Sequence, residues 1–551
     1  MKTINVIKRA VIAGLTRNPL KIIAALVVMC AVAQAQNVSR EMTLEKDYVP
    51  SIKDANKINS VPDVAAPTAP QADVRFAKYL SAVEVPSSPY PLQSSASAFG
   101  SGDQIGYITL GGSALPDFFA DAAVQPLHSF ANQLNIFASH HSGNYKVNFL
   151  QDDKEGKKKI NDNVLGVNYL HNFNTWKILT DAQYTYSQYN DYGQLPVTSY
   201  QLPVADWKDN LFAAHLGAVS TDLDVPAFKF DVGYTRFGQD YGAPDAKSEN
   251  RLLLDADMSA PLSIDKRIGI KGYAKNQDNA DTNNADTDRD SKSNYTTLSV
   301  SPYMLFEGAN WETHLGLSVG KQFGDRSKFL LAPDVRFYVN ATDHLQLYAS
   351  ATGGFRDNSN YELYQQNRYI APYVLRVTDS RTSLNAKLGT NFAITRSLNM
   401  DLHAGYRITD DEWFLVNEYA NIPVSADAKV LNVGGTMRYK HSDVADIELS
   451  ADYNNWNVAD LQSFNKPKFD GHLNIGVKPI EPLRFDLLYH FELGRPELDD
   501  IHDVSLRGTF SFAKHFSAFV AINNLLFQKY ELWYGYPANP FNVMGGLTYR
   551  F

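Results

Sequence analysis

The sequence holds one cysteine in 551 residues. It is Cys30, inside an apolar stretch near the start, so a chain cut after Ala35 has none. Neither a disulfide framework nor a thiolate site is then open to it. Met29 stands where a lipid-anchor signal needs a small residue just before the cysteine, which argues against a lipid anchor. Long apolar runs are missing as well. No later stretch approaches 18 apolar residues, which excludes a membrane-spanning helix but not a barrel, whose strands alternate and keep mean hydropathy low. G-x-S-x-G, H-E-x-x-H and Walker-type sequences are absent, and no other catalytic constellation stands out. No enzyme, cofactor or metal is expected. Basic residues are in deficit: without the first 35 residues, 46 Lys and Arg face 60 Asp and Glu, a net charge of −14. Such a chain is a poor nucleic-acid binder.

What is present begins with an export signal. "MKTINVIKRAVIAGLTRNPLK" carries five positive charges and no acid, "IIAALVVMCAVA" is a short apolar core, and "AQA" (33–35) is a small-residue cleavage site. Residues 1–35 therefore read as a cleaved secretory signal peptide. Residues 36–103 hold seven prolines and the Ser-rich end "LQSSASAFGSGD". They read as an extended, mostly irregular periplasmic arm.

From about residue 104 onward, period-2 alternation dominates. "HLQLYASATGGF" (344–355) sets Leu345, Leu347, Ala349, Ala351 and Phe355 on one face. "LNAKLGTNFAI" (384–394) sets Leu384, Ala386, Leu388, Phe392 and Ile394 against Lys387 and two asparagines. "LNMDLHAGYRI" (398–408) opposes Leu398, Met400, Leu402, Ala404, Tyr406 and Ile408 to Asp401, His403 and Arg407. "LRFDLLYHFE" (483–492) opposes Leu483, Phe485, Leu487, Tyr489 and Phe491 to Arg484, Asp486, His490 and Glu492. Segments of about ten residues suffice to cross a bilayer as tilted strands. In a sandwich the apolar face would be core; in a membrane barrel it meets lipid, and the polar face lines a wet lumen.

The connections decide between the two. Ten are short, among them "FNT" (173–175), "SIDK" (263–266), "TRS" (395–397) and "AKH" (513–515), with "LHSFAN" (127–132) nearest the start. The alternate set is mostly longer and more polar, as in "NQDNADTNNADTDRDSKSN" (276–294). Short turns on one side and long loops on the other are the asymmetry of an outer-membrane barrel. Ten turns imply eleven loops and twenty-two strands. The fold class expected over 104–551 is thus all-β: a transmembrane antiparallel β-barrel of about 22 strands behind the periplasmic arm. Trp176 and Trp311 fall at short turns, and Trp207, Trp413, Trp456 and Trp533 near long loops, which fits two interfacial girdles.

The chain ends "FNVMGGLTYRF" (541–551), an apolar alternation that runs to the last residue. A last strand that must pair with the first explains this, because open edges are not tolerated in lipid. Leu547, Tyr549 and Phe551 also resemble the C-terminal sorting signal read by the barrel-assembly machinery.

"NNLLFQKYELWYGYPANPFNVMGGLTYRF" (523–551) resembles the C-terminal end of TonB-dependent receptors, in Asn524, Leu525, Tyr530, Gly535, Tyr536, Pro537, Gly546, Leu547, Tyr549 and Phe551. "GYITLGGSALPDFFADAAV" (106–124) is similar to the first strands of such barrels in Bacteroidota. The resemblance covers about 104–551. It implies the outer membrane of a Gram-negative cell, outer-membrane lipid around the barrel, and uptake or passage of a solute. It also implies a partnership with TonB or with a periplasmic or surface lipoprotein. Receptors of this kind carry a folded plug ahead of the first strand, and here only the arm is available for one. Met42, Thr43, Leu44 and Glu45 in "REMTLEKDYV" have the location and extended look of a TonB box, a segment that adds a strand to its partner. A tether docked on a partner is the other reading. A wide barrel without a plug needs another filling: the arm, inward-folded loops or a partner.

Candidate binding residues fall in two groups. Lys387, Asp401, His403, Arg407, Arg484, Asp486, His490 and Glu492 lie in the polar phase of their strands. They are either a selectivity lining or a set of cross-strand charge pairs. The loop "RDNSNYELYQQNRYIAPYVLRVTDSR" (356–381) gathers Tyr361, Tyr364, Tyr369 and Tyr373 beside Arg356, Arg368 and Arg376. Tyrosine and arginine favour contact surfaces, so the loop reads either as a grip for a ligand or partner or as a strand extension with packed tyrosines. His140 and His141 are adjacent on a strand and point to opposite faces, which excludes joint chelation. Asp286, Asp288 and Asp290 have calcium-loop spacing, but Ser291 stands where that loop needs glycine. A solvated surface loop is the better reading. Two functions remain: solute passage, and a non-transporting barrel subunit that scaffolds an outer-membrane complex.

Overall fold

The computed structural model describes residues 105–551 except 151–153, 194–205, 222–225, 242–245, 282–291, 325–326, 371–376, 418–420, 459–460 and 462–465. The expected signal peptide and arm with Met42–Glu45, together with Tyr373, Arg376 and the Asp286–Asp290 run, lie outside the described residues.

Twenty-two strands form one sheet in which each strand pairs antiparallel with its sequence neighbours. They are β1 (Gly106–Ser113), β2 (Asp117–His128), β3 (Asn132–Asn148), β4 (Glu155–Asn172), β5 (Trp176–Asn190), β6 (Asp206–Ser220), β7 (Ala227–Asp240), β8 (Ala246–Ser263), β9 (Lys266–Asp281), β10 (Lys292–Glu307), β11 (Trp311–Gly324), β12 (Lys328–Thr342), β13 (Leu345–Arg356), β14 (Ser380–Ala393), β15 (Leu398–Asn417), β16 (Asn421–His441), β17 (Ala445–Val458), β18 (Phe469–Ile480), β19 (Leu483–Leu493), β20 (Ile501–Ala513), β21 (Phe516–Asn523) and β24 (Asn542–Arg550). Two short strands, β22 (Glu531–Trp533) and β23 (Tyr536–Pro537), pair only with each other inside the last loop. One helix, α1 (Asn360–Gln366), lies in the connection from β13 to β14.

The sheet closes on itself. β1 pairs with β24 from Tyr107↔Arg550 to Ser113↔Met544. Ile105 N–H donates to the Phe551 carbonyl at 2.7 Å, and Phe551 N–H to that of Gly106 at 3.0 Å, so pairing continues to the final residue. The expected ten short turns are all present, and the chain end lies on their side. Of the eleven connections at the opposite end, those after β1, β11 and β15 are as short as turns.

Alternation sorts the side chains as expected of a membrane barrel. Leu388, Leu402, Tyr406, Leu347 and Phe485 are exposed on the outer face. Phe355 departs from the pattern. The register shifts between Thr352 and Gly354, where two steps along β13 face three along β14, and the Phe355 ring lies beside Gly320 on the inner side. The two-girdle expectation for tryptophan is half right. At the turn end Trp176 stacks on Phe173 at 4.2 Å and Trp311 is exposed. At the loop end Trp207 and Trp413 are buried inside the barrel, and Trp456 packs edge-on to buried Phe414. These indoles have inward neighbours to pack on, so they do not mark a lipid interface.

Candidate functional site

The inward neighbours are two loops that fold into the barrel mouth. The first runs from Asp357 to Asp379 and is described at 357–370 and 377–379. Its helix starts at Ser359, whose backbone is extended (φ −148°) and whose Oγ accepts from Glu362 N–H at 3.1 Å. This is an N-cap of the Ser-x-x-Glu kind, which closes an orphan donor and lets a seven-residue helix form. The second loop joins β21 to β24 and carries the β22–β23 hairpin.

A single lysine clasps both ends of the first loop. Lys275 on β9 is fully buried, and its Nζ lies 2.6 Å from Asp379 Oδ1, 2.9 Å from the Tyr295 hydroxyl and 3.0 Å from the Asn358 carbonyl. It also bonds Asp357. Arg251 on β8 donates to Asp357 Oδ2 at 2.8 Å and Glu362 Oε1 at 3.2 Å. Thr297 Oγ1 donates to Asp379 Oδ2 at 2.7 Å. On the far wall, Trp413 Nε1 donates to the Thr378 carbonyl at 3.1 Å. Arg356 meets Glu412 at 2.9 Å, which also faces Arg407 and Lys466.

Aromatic packing joins the two loops. Tyr369 stacks on Tyr536 with ring centroids 4.5 Å apart, and Tyr192 stands edge-on to both. Tyr536 donates to Asp191 Oδ1 at 2.7 Å. Tyr145 and Lys158 both donate to Asn539 Oδ1, at 2.7 and 3.0 Å. Arg368 forks onto Asp162 at 3.1–3.3 Å and covers the Tyr189 ring. One buried cluster holds Tyr145, Tyr189, Trp207, Phe237, Tyr364, Tyr369 and Tyr536; a second holds Leu363, Ile370, Val377, Trp413 and Leu415. Trp533 packs on both, so the loops span the mouth from one wall to the other as a cap. The Glu362 carboxyl is pushed up to about 7 by burial and then by the like charge of Asp357, against the pull of Arg251.

The loop tyrosines read either as a contact surface or as a strand extension with packed rings; of those described, Tyr361, Tyr364 and Tyr369 go inward. Tyr364 and Tyr369 are buried, Tyr361 packs on Phe237, and Arg356 and Arg368 hold the cap to the wall. The polar-phase residues face the inside of the barrel, and most of them sit beside opposite charges. His403 bridges Asp401 at 3.3 Å and Asp452 at 3.0 Å. Arg484 bonds Asp486 at 2.7 Å and Asp446 at 3.0 Å. His490 lies 3.7 Å from Glu492, which Arg495 approaches at 3.2 Å. Arg407 faces Glu412 and the Trp456 ring. Lys387 is opposite Gly405 on the same inner face. His141 turns to Asp117 and His140 to Asn163, on opposite faces as the strand requires. Among the described residues no three His, Asp or Glu side chains are grouped as metal ligands. Sequence reasoning missed Arg251, Lys275 and Glu412, which carried no signal beyond the phase of their strands, and Asp357 and Asp379, which lie in the loop between β13 and β14.

No protein-family model matches the chain, and no curated protein matches its sequence. Solved structures do match. The FrpB iron transporter from Neisseria meningitidis superposes with a TM-score of 0.64 at 10% identity, over 82% of this chain and 82% of that one. A ferric enterobactin receptor mutant from Pseudomonas aeruginosa, in complex with enterobactin, gives 0.63 at 11% identity over 82% of each chain. The fold is that of TonB-dependent receptor barrels. The alcaligin outer-membrane receptor FauA from Bordetella pertussis is more distant in shape, at 0.53 and 14% identity over 82% of this chain and 76% of that one. At such identities the likeness carries the fold alone.

Proposed function

We propose that the chain is an outer-membrane β-barrel for the passage of a solute, built like a TonB-dependent receptor and closed at its loop end by its own cap. The observation that carries this reading is the way the cap is held. A polar, half-buried lumen leads up to two loops that rest on aromatic clusters and are also held to the wall by ionic and hydrogen-bonded contacts of Lys275, Arg251, Arg368 and Arg356. Such contacts are exchangeable for contacts to a ligand, which a permanent apolar seal is not. On this reading the signal peptide is cleaved after Ala35, and the barrel-assembly machinery reads Leu547, Tyr549 and Phe551. TonB engages Met42–Glu45 from the periplasm, and the cell is a member of the Bacteroidota.

A solute-release assay from liposomes tests the reading. With the mature chain, small polar solutes leave slowly; with residues 358–378 replaced by a short Gly-Ser turn, they leave fast. A capless barrel that retains every solute would instead mark a filled lumen and a scaffolding subunit.

A further inference from the structure

We infer that the solute carries carboxylate or phosphate groups, and that Arg251 and Lys275 bind them in the places now held by Asp357, Asp379 and Glu362. This deepens the passage reading and rests on it. Arg251 and Lys275 belong to the barrel wall, on β8 and β9, and Lys275 is wholly removed from solvent. All three carboxylates that bond them come from the cap connection. The wall's own acid here, Glu249, bonds neither cation directly and acts on them only through space: its Oε2 accepts from Gln277 Nε2 at 3.1 Å and from Asn360 N–H at 2.7 Å. Lys328, the next wall cation, already has Asp411 at 2.7 Å.

Lifting the cap therefore strips two wall cations of their counter-ions in a poorly solvated corner. A buried charge left without its partner is costly, so an empty barrel keeps the cap down. An anionic ligand that reaches Arg251 and Lys275 restores the lost pairs and favours the open form. A neutral or cationic solute makes no such exchange, and a ligand shifts an equilibrium only by its differential affinity for the two states. The cap thus stands in for the ligand, with Asp357 and Asp379 as mimics of its anionic groups.

Single-channel recording from the mature chain in a planar bilayer tests this, with probes added on the loop side. Citrate and inorganic pyrophosphate are expected to raise the open fraction about tenfold, and sucrose and spermidine to leave it unchanged. The D357N/D379N double variant opens more often without ligand and responds to less citrate. Lys275→Gln and Arg251→Gln each lose most of the citrate response; heat-modifiable mobility on gels shows that the variants are folded. The inference is overturned if sucrose or spermidine opens the channel as well as citrate does. It is equally overturned if citrate acts on neither the native chain nor D357N/D379N. A capless variant that also carries D357N/D379N and passes solutes of every charge alike would leave passage standing and remove the anion.

Discussion

Lys275 shows how one residue sets the state of a segment. Its ammonium faces Asp357 and Asp379, which bracket the whole first cap loop. In Lys275→Met Asp379 loses its cation while it stays buried, and Asp357 keeps only Arg251, a change of the kind that costs about 3–5 kcal/mol. The loop is expected to leave the wall, and proteolysis within 357–379 to speed up more than a hundredfold. A loop that stays protected would show that the aromatic clusters alone seat the cap. Glu362 adds a pH dependence. Its carboxyl is higher in the docked loop, about 7, than the usual 4.5. The docked state therefore prefers the proton. This contribution to docking is complete below about pH 4.5 and is lost as pH rises through 7. Cap opening is expected to increase between pH 5 and 8, by about tenfold and not more, because the side chain keeps some contact with solvent. Glu362→Gln removes that rise, and channel recordings across the range check it. None of this was legible in sequence. Lys275 is one polar-phase residue among many in its strand, and Asp379 lies 104 residues further on.

Elements were more legible than residues, because alternation is local. The ten turns follow from where the period-2 runs stop, and the closing strand from the need to pair the last edge. The seam has a demand of its own. Gly111 on β1 faces Gly546 on β24, and a Cβ on Gly111 would lie 2.2 Å from the Phe119 ring and 2.6 Å from the Gly545 carbonyl. Phe119 is buried against Phe519 across the closure. Gly111→Val is expected to lower the fraction of heat-modifiable, folded barrel severely. Gly272→Ala, with nothing within 4 Å of its Cβ, leaves that fraction unchanged. Equal yields would mean that the seam tolerates side chains. The bulge between β13 and β14 was not foreseen, since one extra residue on β14 shifts the register without altering the composition. The helix start was readable as Ser359-x-x-Glu362 but lay inside a stretch dominated by tyrosines. Ser359→Ala is expected to cost the helix about 1 kcal/mol, seen as faster amide exchange over 360–366.

For the whole molecule, the class of fold and the strand number follow from patterning, and the filling of the barrel does not. A strand's outer face must be apolar for lipid, and that constraint is written along the chain. The inner face answers to whatever occupies the lumen, so polar residues there read alike whether they line water, pair with each other or hold a loop. The loop-end tryptophans illustrate the point: position near a strand end suggested lipid, while Trp207 and Trp413 face the cap. Inward-folded loops stood among three candidate fillings, and only tertiary contacts show that two loops do fold inward.

Solute passage under control of a cap requires that these loops close the barrel. Single-channel conductance of the mature chain, compared with a variant in which a short Gly-Ser turn replaces residues 358–378, tests it most directly. Small, brief currents from the native chain and large, steady ones from the variant are predicted. Large steady currents from both would contradict the claim, because the cap would then leave the lumen open.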